Sequence, residues 1–255
     1  MKITYKINGR FGNNLFQYIA VKIIQHLLPS YQYVYNSDSV NKLVITDDDY
    51  LYYFVDHIDE IDVSKDILLD GYYQFDKYIL KYKEYIMSIL NVDNHERINN
   101  TYLVSDIYKI HPQIVSNETL VIHLRLDDFL TSNVCMKPEH CINMINDCIS
   151  KINITKIIII VDKLRQNFEI EYLKVITSYL MTINISFELQ SNSLLVDFSI
   201  LYNATNFISS NSTFSYLAGL LGKHTNSWCP VNTKYSHQFI SKFDDNTESL
   251  IIDYL

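Results

Sequence analysis

Arginine is scarce in this chain of 255 residues, with only Arg10, Arg97, Arg125 and Arg165, so the position of each is informative. In Val121-Ile-His-Leu-Arg-Leu-Asp-Asp-Phe129 an apolar run ends with His123 and Arg125 two residues apart. That spacing puts both on one side of a strand, at the end where a ligand would sit. A guanidinium there suits a phosphate, because it is planar, permanently charged and offers a bidentate fork. The same spacing would serve a structural ion pair with Asp127 or Asp128, and the pattern leaves both readings open. A second signal is Ser209-Ser-Asn-Ser-Thr-Phe-Ser-Tyr-Leu-Ala-Gly-Leu-Leu-Gly222. Hydroxyl and amide residues open an apolar helix there, whose first N–H groups lack helical partners and whose dipole favours an anion. A cap needs just one of Asn211, Ser212 or Thr213, so the surplus points to an anion site. The third is Ile7-Asn-Gly-Arg-Phe-Gly-Asn-Asn-Leu-Phe-Gln-Tyr18, where Gly9 and Gly12 permit a tight turn and close backbone approach to a ligand. It lacks the third glycine of a dinucleotide fingerprint and the Gly-Lys pair of a P-loop.

These groups need strands that end beside helices that begin. The first half supplies a strand over Ile3 to Ile7, then a helix over Asn14 to Leu28, with Leu15, Phe16, Ile19, Ile23 and Leu27 at helical spacing and Pro29 as its stop. Extended stretches follow around Tyr33 to Tyr35, Leu43 to Ile45 and Ile67 to Tyr73, then a helix over Asp76 to Leu90. Asn91 to Ser116 is polar, weakly periodic and closed by His111-Pro112, which reads as a linker. The second half is more regular. Strands over Thr119 to Leu124, Lys156 to Val161, Ile183 to Leu189 and Phe207 to Ser209 alternate with helices over Pro138 to Ile152, Phe168 to Leu180, Leu194 to Tyr202 and Ser212 to Leu221. Repeated strand-helix units predict a parallel sheet covered on both faces, with ligands beyond the carboxyl ends of the strands.

Composition narrows the classes. With 48% hydrophobic and 20% charged residues the chain can bury a real core, and a net charge of −8 argues against a nucleic-acid surface. The four cysteines form no C-x-x-C pair, and Cys141 and Cys148, seven apart in a helical pattern, read as buried thiols. No stretch has the length of a membrane span and the N-terminus has no signal h-region, so a cytoplasmic protein is the expectation. Asp47-Asp-Asp49 reads as a solvated acidic turn in preference to a D-x-D metal site, and Tyr73 and Gln74 are candidates to line an acceptor cleft. Only five glycines occur, at 9, 12, 71, 219 and 222, where average usage gives about 18. They are expected to mark places around a ligand where the backbone bends or approaches closely.

The motifs Gly9-Arg-Phe-Gly-Asn-Asn-Leu-Phe-Gln-Tyr18, Gly71-Tyr-Tyr-Gln-Phe-Asp-Lys-Tyr78, His123-Leu-Arg-Leu-Asp-Asp-Phe129 and Asn211-Ser-Thr-Phe-Ser-Tyr-Leu-Ala-Gly-Leu-Leu-Gly222 follow one another as in the α1,2-fucosyltransferase family, which the chain resembles from Ile7 to Gly222. That family is related to the protein O-fucosyltransferases and core α1,6-fucosyltransferases. The resemblance implies a GT-B-like α/β fold: two Rossmann-type parallel-sheet domains facing a cleft, an acceptor-side domain over 1–115, smaller and less regular, and a nucleotide-sugar domain over 116–255. It implies metal-independent inverting transfer of fucose from GDP-fucose to a hydroxyl of a galactoside or other glycan acceptor, with no cofactor. By the same resemblance Arg125 holds the β-phosphate with His123 near ribose or phosphate, and Asn211, Ser212, Thr213 and Phe214 belong to the pyrophosphate site. Gly9, Arg10, Gly12 and Asn13 approach the donor, Asp197 reads guanine, and Asp128 is the candidate base. Two positions depart from the family pattern His-x-Arg-Arg-x-Asp-Tyr: Leu126 replaces the second arginine and Phe129 the tyrosine. Those losses keep two alternatives in view, a different GDP-sugar donor or a binding protein without transfer.

Overall fold

The computed structural model describes residues 1–36, 41–50, 56–91, 95–108, 115–132, 134–222, 224–231 and 247–251. The chain forms two compact units, Met1–Lys109 and Ile110–Leu255.

In the first unit, strands β1 (Lys2–Tyr5), β2 (Gln32–Tyr33), β3 (Lys42–Ile45) and β4 (Asp66–Leu69) form a parallel sheet of order β2-β1-β4-β3. Helix α1 (Phe11–Leu27) follows β1 and is buried along most of its length, with Leu15, Phe16, Ile19 and Ile23 inside the core. It begins three residues before Asn14, the start expected from the spacing of its apolar residues. Asn14 is instead a buried helix residue whose amide donates to Asn8 O and Gln17 Oε1. Helices α2 (Asp47–Tyr50), α3 (Asp76–Lys81), α4 (Lys83–Leu90) and α5 (Val104–Tyr108) complete the unit, with a short 3₁₀ turn at Ile58–Glu60. The single helix expected over Asp76 to Leu90 is interrupted at Tyr82, which leaves helical geometry at φ −107°, ψ 16°. Much of the expected linker is structured as well. Arg97 bridges Leu103, Ile98 and Val104 are buried, and the hydroxyls of Tyr5, Tyr33 and Tyr35 donate to Ile98 O, Arg97 O and Asn100 Oδ1. Tertiary hydrogen bonds from β1 and its neighbours thus hold a segment that has no periodicity of its own. His111-Pro112 lies outside the described residues.

In the second unit, strands β5 (Thr119–Leu124), β6 (Lys156–Val161), β7 (Ser186–Gln190), β8 (Asn206–Ile208), β9 (Asn226–Val231) and β10 (Thr247–Ile251) are all parallel, in the order β10-β9-β8-β5-β6-β7. Counted from β5 this is the doubly wound order 3-2-1-4-5-6. The chain runs outward through β6 and β7, returns through α9 (Leu194–Tyr202), and adds β8 on the other side of β5. Helices α6 (Asp127–Thr131), α7 (Pro138–Lys151), α8 (Asn167–Thr182) and α10 (Thr213–Leu221) complete it. Alternation divides β5 between two faces. Leu120, Ile122 and Leu124 join the core that also holds Cys141, Ile145 and Cys148 of α7 and Leu173, Ile176 and Leu180 of α8. His123 faces the other way, its ring 5.6 Å from Phe214 at the start of α10. All four cysteines are buried thiols.

Strands β9 and β10 lie beyond the last element expected from sequence. Pro230 sits inside β9, a position normally confined to edges because proline donates no ladder bond. Trp228 O accepts from Ser209 N, so alternation turns the Pro230 nitrogen to the same side, past the point where β8 ends at Ile208. The missing donor therefore falls where the neighbouring strand has already stopped. Trp228 itself is the single tryptophan, buried in the core with its indole N–H on Asp147 Oδ2 at 2.7 Å. Its fluorescence should report unfolding of the second unit. A Cβ at Gly222, which caps α10, would lie 2.6 Å from Tyr202 O and 2.7 Å from Ala218 O, both main-chain atoms. Gly222→Ala is expected to cost about 1–3 kcal/mol, read as a lower urea midpoint of tryptophan fluorescence.

Candidate functional site

The polar residues of the second unit gather where β5 and β8 lie side by side and their following segments diverge, the place where such sheets bind ligands. His123, the penultimate residue of β5, is 5% exposed and its Nδ1 lies 2.7 Å from Ser210 Oγ. Ser210 Oγ in turn contacts Ser215 Oγ at 3.1 Å and accepts from Ser212 N at 3.3 Å. Burial pushes the imidazole down to about 3, so His123 is uncharged at neutral pH. It can exchange hydrogen bonds with a ligand but brings no positive charge to a phosphate. Its ring and that of Phe198 flank Phe214, at 5.6 Å and 5.5 Å.

Much of the hydroxyl and amide run is occupied locally. Ser212 is the cap of α10, accepting from Phe214 N at 3.3 Å. Asn211 donates to Val134 O, and Ser215 Oγ receives Ser210 N. Ser209 Oγ is buried without a hydrogen-bond partner among the described residues, and burial pushes the Cys229 thiol up to about 12. The surplus over simple capping therefore ties the β8–α10 turn to β5 and to the 134 loop. Thr213 opens the helix and is half-buried.

Arg125 leaves β5 into a cage of acids. Its Nε and Nη2 donate to Asp128 Oδ1 at 3.0 and 2.7 Å, and its Nη1 donates to Asp162 Oδ2 at 2.5 Å. The guanidinium stands over the Phe129 ring at 5.6 Å, so phenylalanine supplies the stacking face at the position where the resembled family carries tyrosine. Both readings left open by the spacing meet here: Arg125 is ion-paired, and it stands at the carboxyl edge of the sheet. Leu126, at the other departure, is buried in the core between β5 and α7. Asp197 on α9 is also buried. Burial raises its pKa, opposed by bonds from the Asn192 side chain and backbone N–H at 2.9–3.3 Å.

In the first unit, Gly9 has φ +75°, and a Cβ there would lie 2.1 Å from Asn13 Nδ2. The positive φ makes a side chain at that position strained. Arg10 is the exposed N-cap residue of α1, Gly12 is buried in its first turn, and Asn13 Oδ1 accepts from Gln74 Nε2 at 3.1 Å. Gln17, buried in α1, donates to Lys6 O and Gly71 O and so joins the Gly9 turn to the Gly71 segment. Asp47 is not a solvated acid: its carboxylate receives Tyr72 N and Tyr73 N at 3.1 and 2.6 Å. No group of three or more potential metal ligands occurs among the described residues. Tyr73 is core, 2% exposed with its hydroxyl on Ile45 O, and does not line a surface. The glycine expectation divides likewise. Gly9 and Gly71 flank the amides of Asn13 and Gln17, Gly12 is buried in the first turn of α1, and Gly219 and Gly222 lie toward the far end of α10.

No protein-family model and no curated protein matches the chain. Among solved structures, a mutant of FUT1 from Arabidopsis thaliana in complex with GDP matches with a TM-score of 0.50 at 12% identity, over 89% of this chain and 70% of that one. The fold is GT-B-like. No helix among the described residues is long and apolar enough to cross a membrane.

Sequence reasoning missed Asp162 and Asn192, whose contacts with Arg125 and Asp197 are made in three dimensions, and it missed that His123 is neutral. The unfolded chain takes up a proton at His123 near pH 6.5, the folded chain only near 3, so the unfolded state binds more protons between these values. Stability should rise with pH across that window and fall on acidification. His123→Gln should flatten the slope by about one proton, measured by urea unfolding at a series of pH values.

Proposed function

We propose that this chain is an inverting glycosyltransferase that moves fucose from GDP-fucose to a hydroxyl of a galactoside, in an α1,2 linkage. The observation that carries this reading is the bonding of His123 to Ser210 beside the Ser212-capped start of α10 at the carboxyl edge where β5 and β8 adjoin, with Arg125 following directly on the end of β5. The fold likeness to FUT1 solved with GDP and the ordered motifs support it. In this reading Arg125 takes the β-phosphate. Three of its five N–H donors are committed to Asp128 and Asp162, which leaves two for phosphate oxygens. Ser212 and Thr213 face the pyrophosphate with the positive end of the α10 dipole. His123 adds an uncharged hydrogen bond, and Asp197 accepts the two adjacent N–H groups of guanine in place of Asn192. The resemblance assigns Gly9, Arg10, Gly12 and Asn13 to the donor as well.

The reaction is a single displacement. An acceptor oxygen bonds to the anomeric carbon as the bond to the β-phosphate oxygen breaks, the configuration inverts, and the acceptor proton passes to a base. Charge grows on the departing GDP, so the arginine and the helix start do most where it develops, and no metal is required in this reading. Asp128 is the proposed base, worth about 10²- to 10⁴-fold. Its Oδ1 already accepts two Arg125 protons, so the same carboxylate would orient the guanidinium and receive the acceptor proton.

Purified protein should release GDP from GDP-fucose with a β-galactoside acceptor in the presence of a chelator, and the product should carry an α1,2 linkage. Arg125→Ala should lower turnover by at least about 10²-fold with unchanged tryptophan fluorescence. Parent-like turnover would remove Arg125 from the site. One observation favours a second reading, transfer from a different GDP-sugar: the residue in place of the family's second arginine, Leu126, is core and cannot face a donor. Calorimetric titration of a GDP-sugar panel decides between them, since clear preference for another sugar retires fucose.

A further inference from the structure

Asp162 belongs to none of the motifs. It stands one residue past β6, whose register with β5 runs to the pair Leu124↔Val161, so its backbone is set by the sheet. Its carboxylate accepts Nη1 of Arg125, while Asp128, on α6, holds Nε and Nη2 and Phe129 lies against the guanidinium face. A planar group gripped at two edges and one face cannot turn about its long axis. Removing Asp162 frees the Nη1 side, and only the short helix carrying Asp128 and Phe129 would then orient the fork.

We propose that Asp162 is a positioning residue that holds the Arg125 guanidinium so that its two uncommitted N–H groups meet the leaving phosphate. This rests on the donor role of Arg125 proposed above. The side-chain exposures fit the role: Arg125 is 11% exposed and Asp162 48%, so the acid contributes little to the core and acts on the arginine from the solvent side. Asp162 also lies close enough to Asp197 to add to the upward shift of that carboxyl. It therefore stands between the residue assigned to the phosphate and the residue assigned to the base of the nucleotide.

The test compares Asp162→Ala and Asp162→Asn, each alone and over Arg125→Lys, by kcat and KM for the donor, GDP titration calorimetry and tryptophan fluorescence. Misplacing a group that acts mainly in the transition state should lower kcat of Asp162→Ala about 10- to 100-fold while changing donor KM by less than about 3-fold. Asp162→Asn should keep most of the activity, because its amide oxygen still accepts the Nη1 proton. Over Arg125→Lys, loss of the acid should have no further effect, since the group it positions is gone. Parent-like kcat in Asp162→Ala, additive losses, or tighter GDP binding would overturn the inference, the last by showing that the carboxylate competes with phosphate. An Arg125→Ala control separates the two levels. If that variant binds GDP as the parent does, the donor reading fails and takes this inference with it. If it loses GDP while Asp162→Ala is parent-like, only the positioning role fails.

Discussion

The second unit is organised around the pairing of β5 with β8 in the middle of a parallel sheet. Because the chain winds outward on one side of β5 and returns to add β8 on the other, the segments after these two strands run apart. The residues at the seam are placed by that constraint. His123 is the penultimate residue of β5, Ser210 follows β8, and the bond between them closes the seam from within. The same seam fixes the start of α10, because Ser210 also receives the Ser212 amide.

Burial determines what each group can do. His123 is so desolvated that its charged form is excluded at neutral pH, so the positive charge at this edge comes from Arg125 and the helix start. The guanidinium of Arg125 is permanently charged, and two half-exposed carboxylates share it. Asp197 shows the converse arrangement, a buried carboxylate kept soluble in its surroundings by amide donors from a neighbouring turn.

The first unit solves a different problem. Its polar residues do not form a charged edge but a network of amides, in which Asn14, Gln17 and Asn99 join the turn at Gly9 to the segments around Gly71 and Asn99. Such a network must be satisfied throughout, because each buried amide left without a partner is costly. That requirement accounts for the starting point of α1 at Phe11 and for the packing of a stretch whose polar composition reads as linker.

Local chemistry made much of this legible. The apolar runs of β5 and β6 and the helix at Leu194–Tyr202 have the bounds their patterns predict, and Pro138 marks the start of α7 as a first-turn proline does. Strand β9 was not legible, because its proline is tolerated only by the early end of β8, and β10 depends on β9 for a partner. The site divides in the same way. Residue types and spacing along the chain determined that His123, Arg125 and the Ser209–Thr213 run stand at the ends of elements, since periodicity and capping act within a few residues. Only the tertiary structure decided that His123 is neutral, that Leu126 is core and that Asp162 grips Arg125, because desolvation and long-range pairing depend on what the rest of the chain brings alongside.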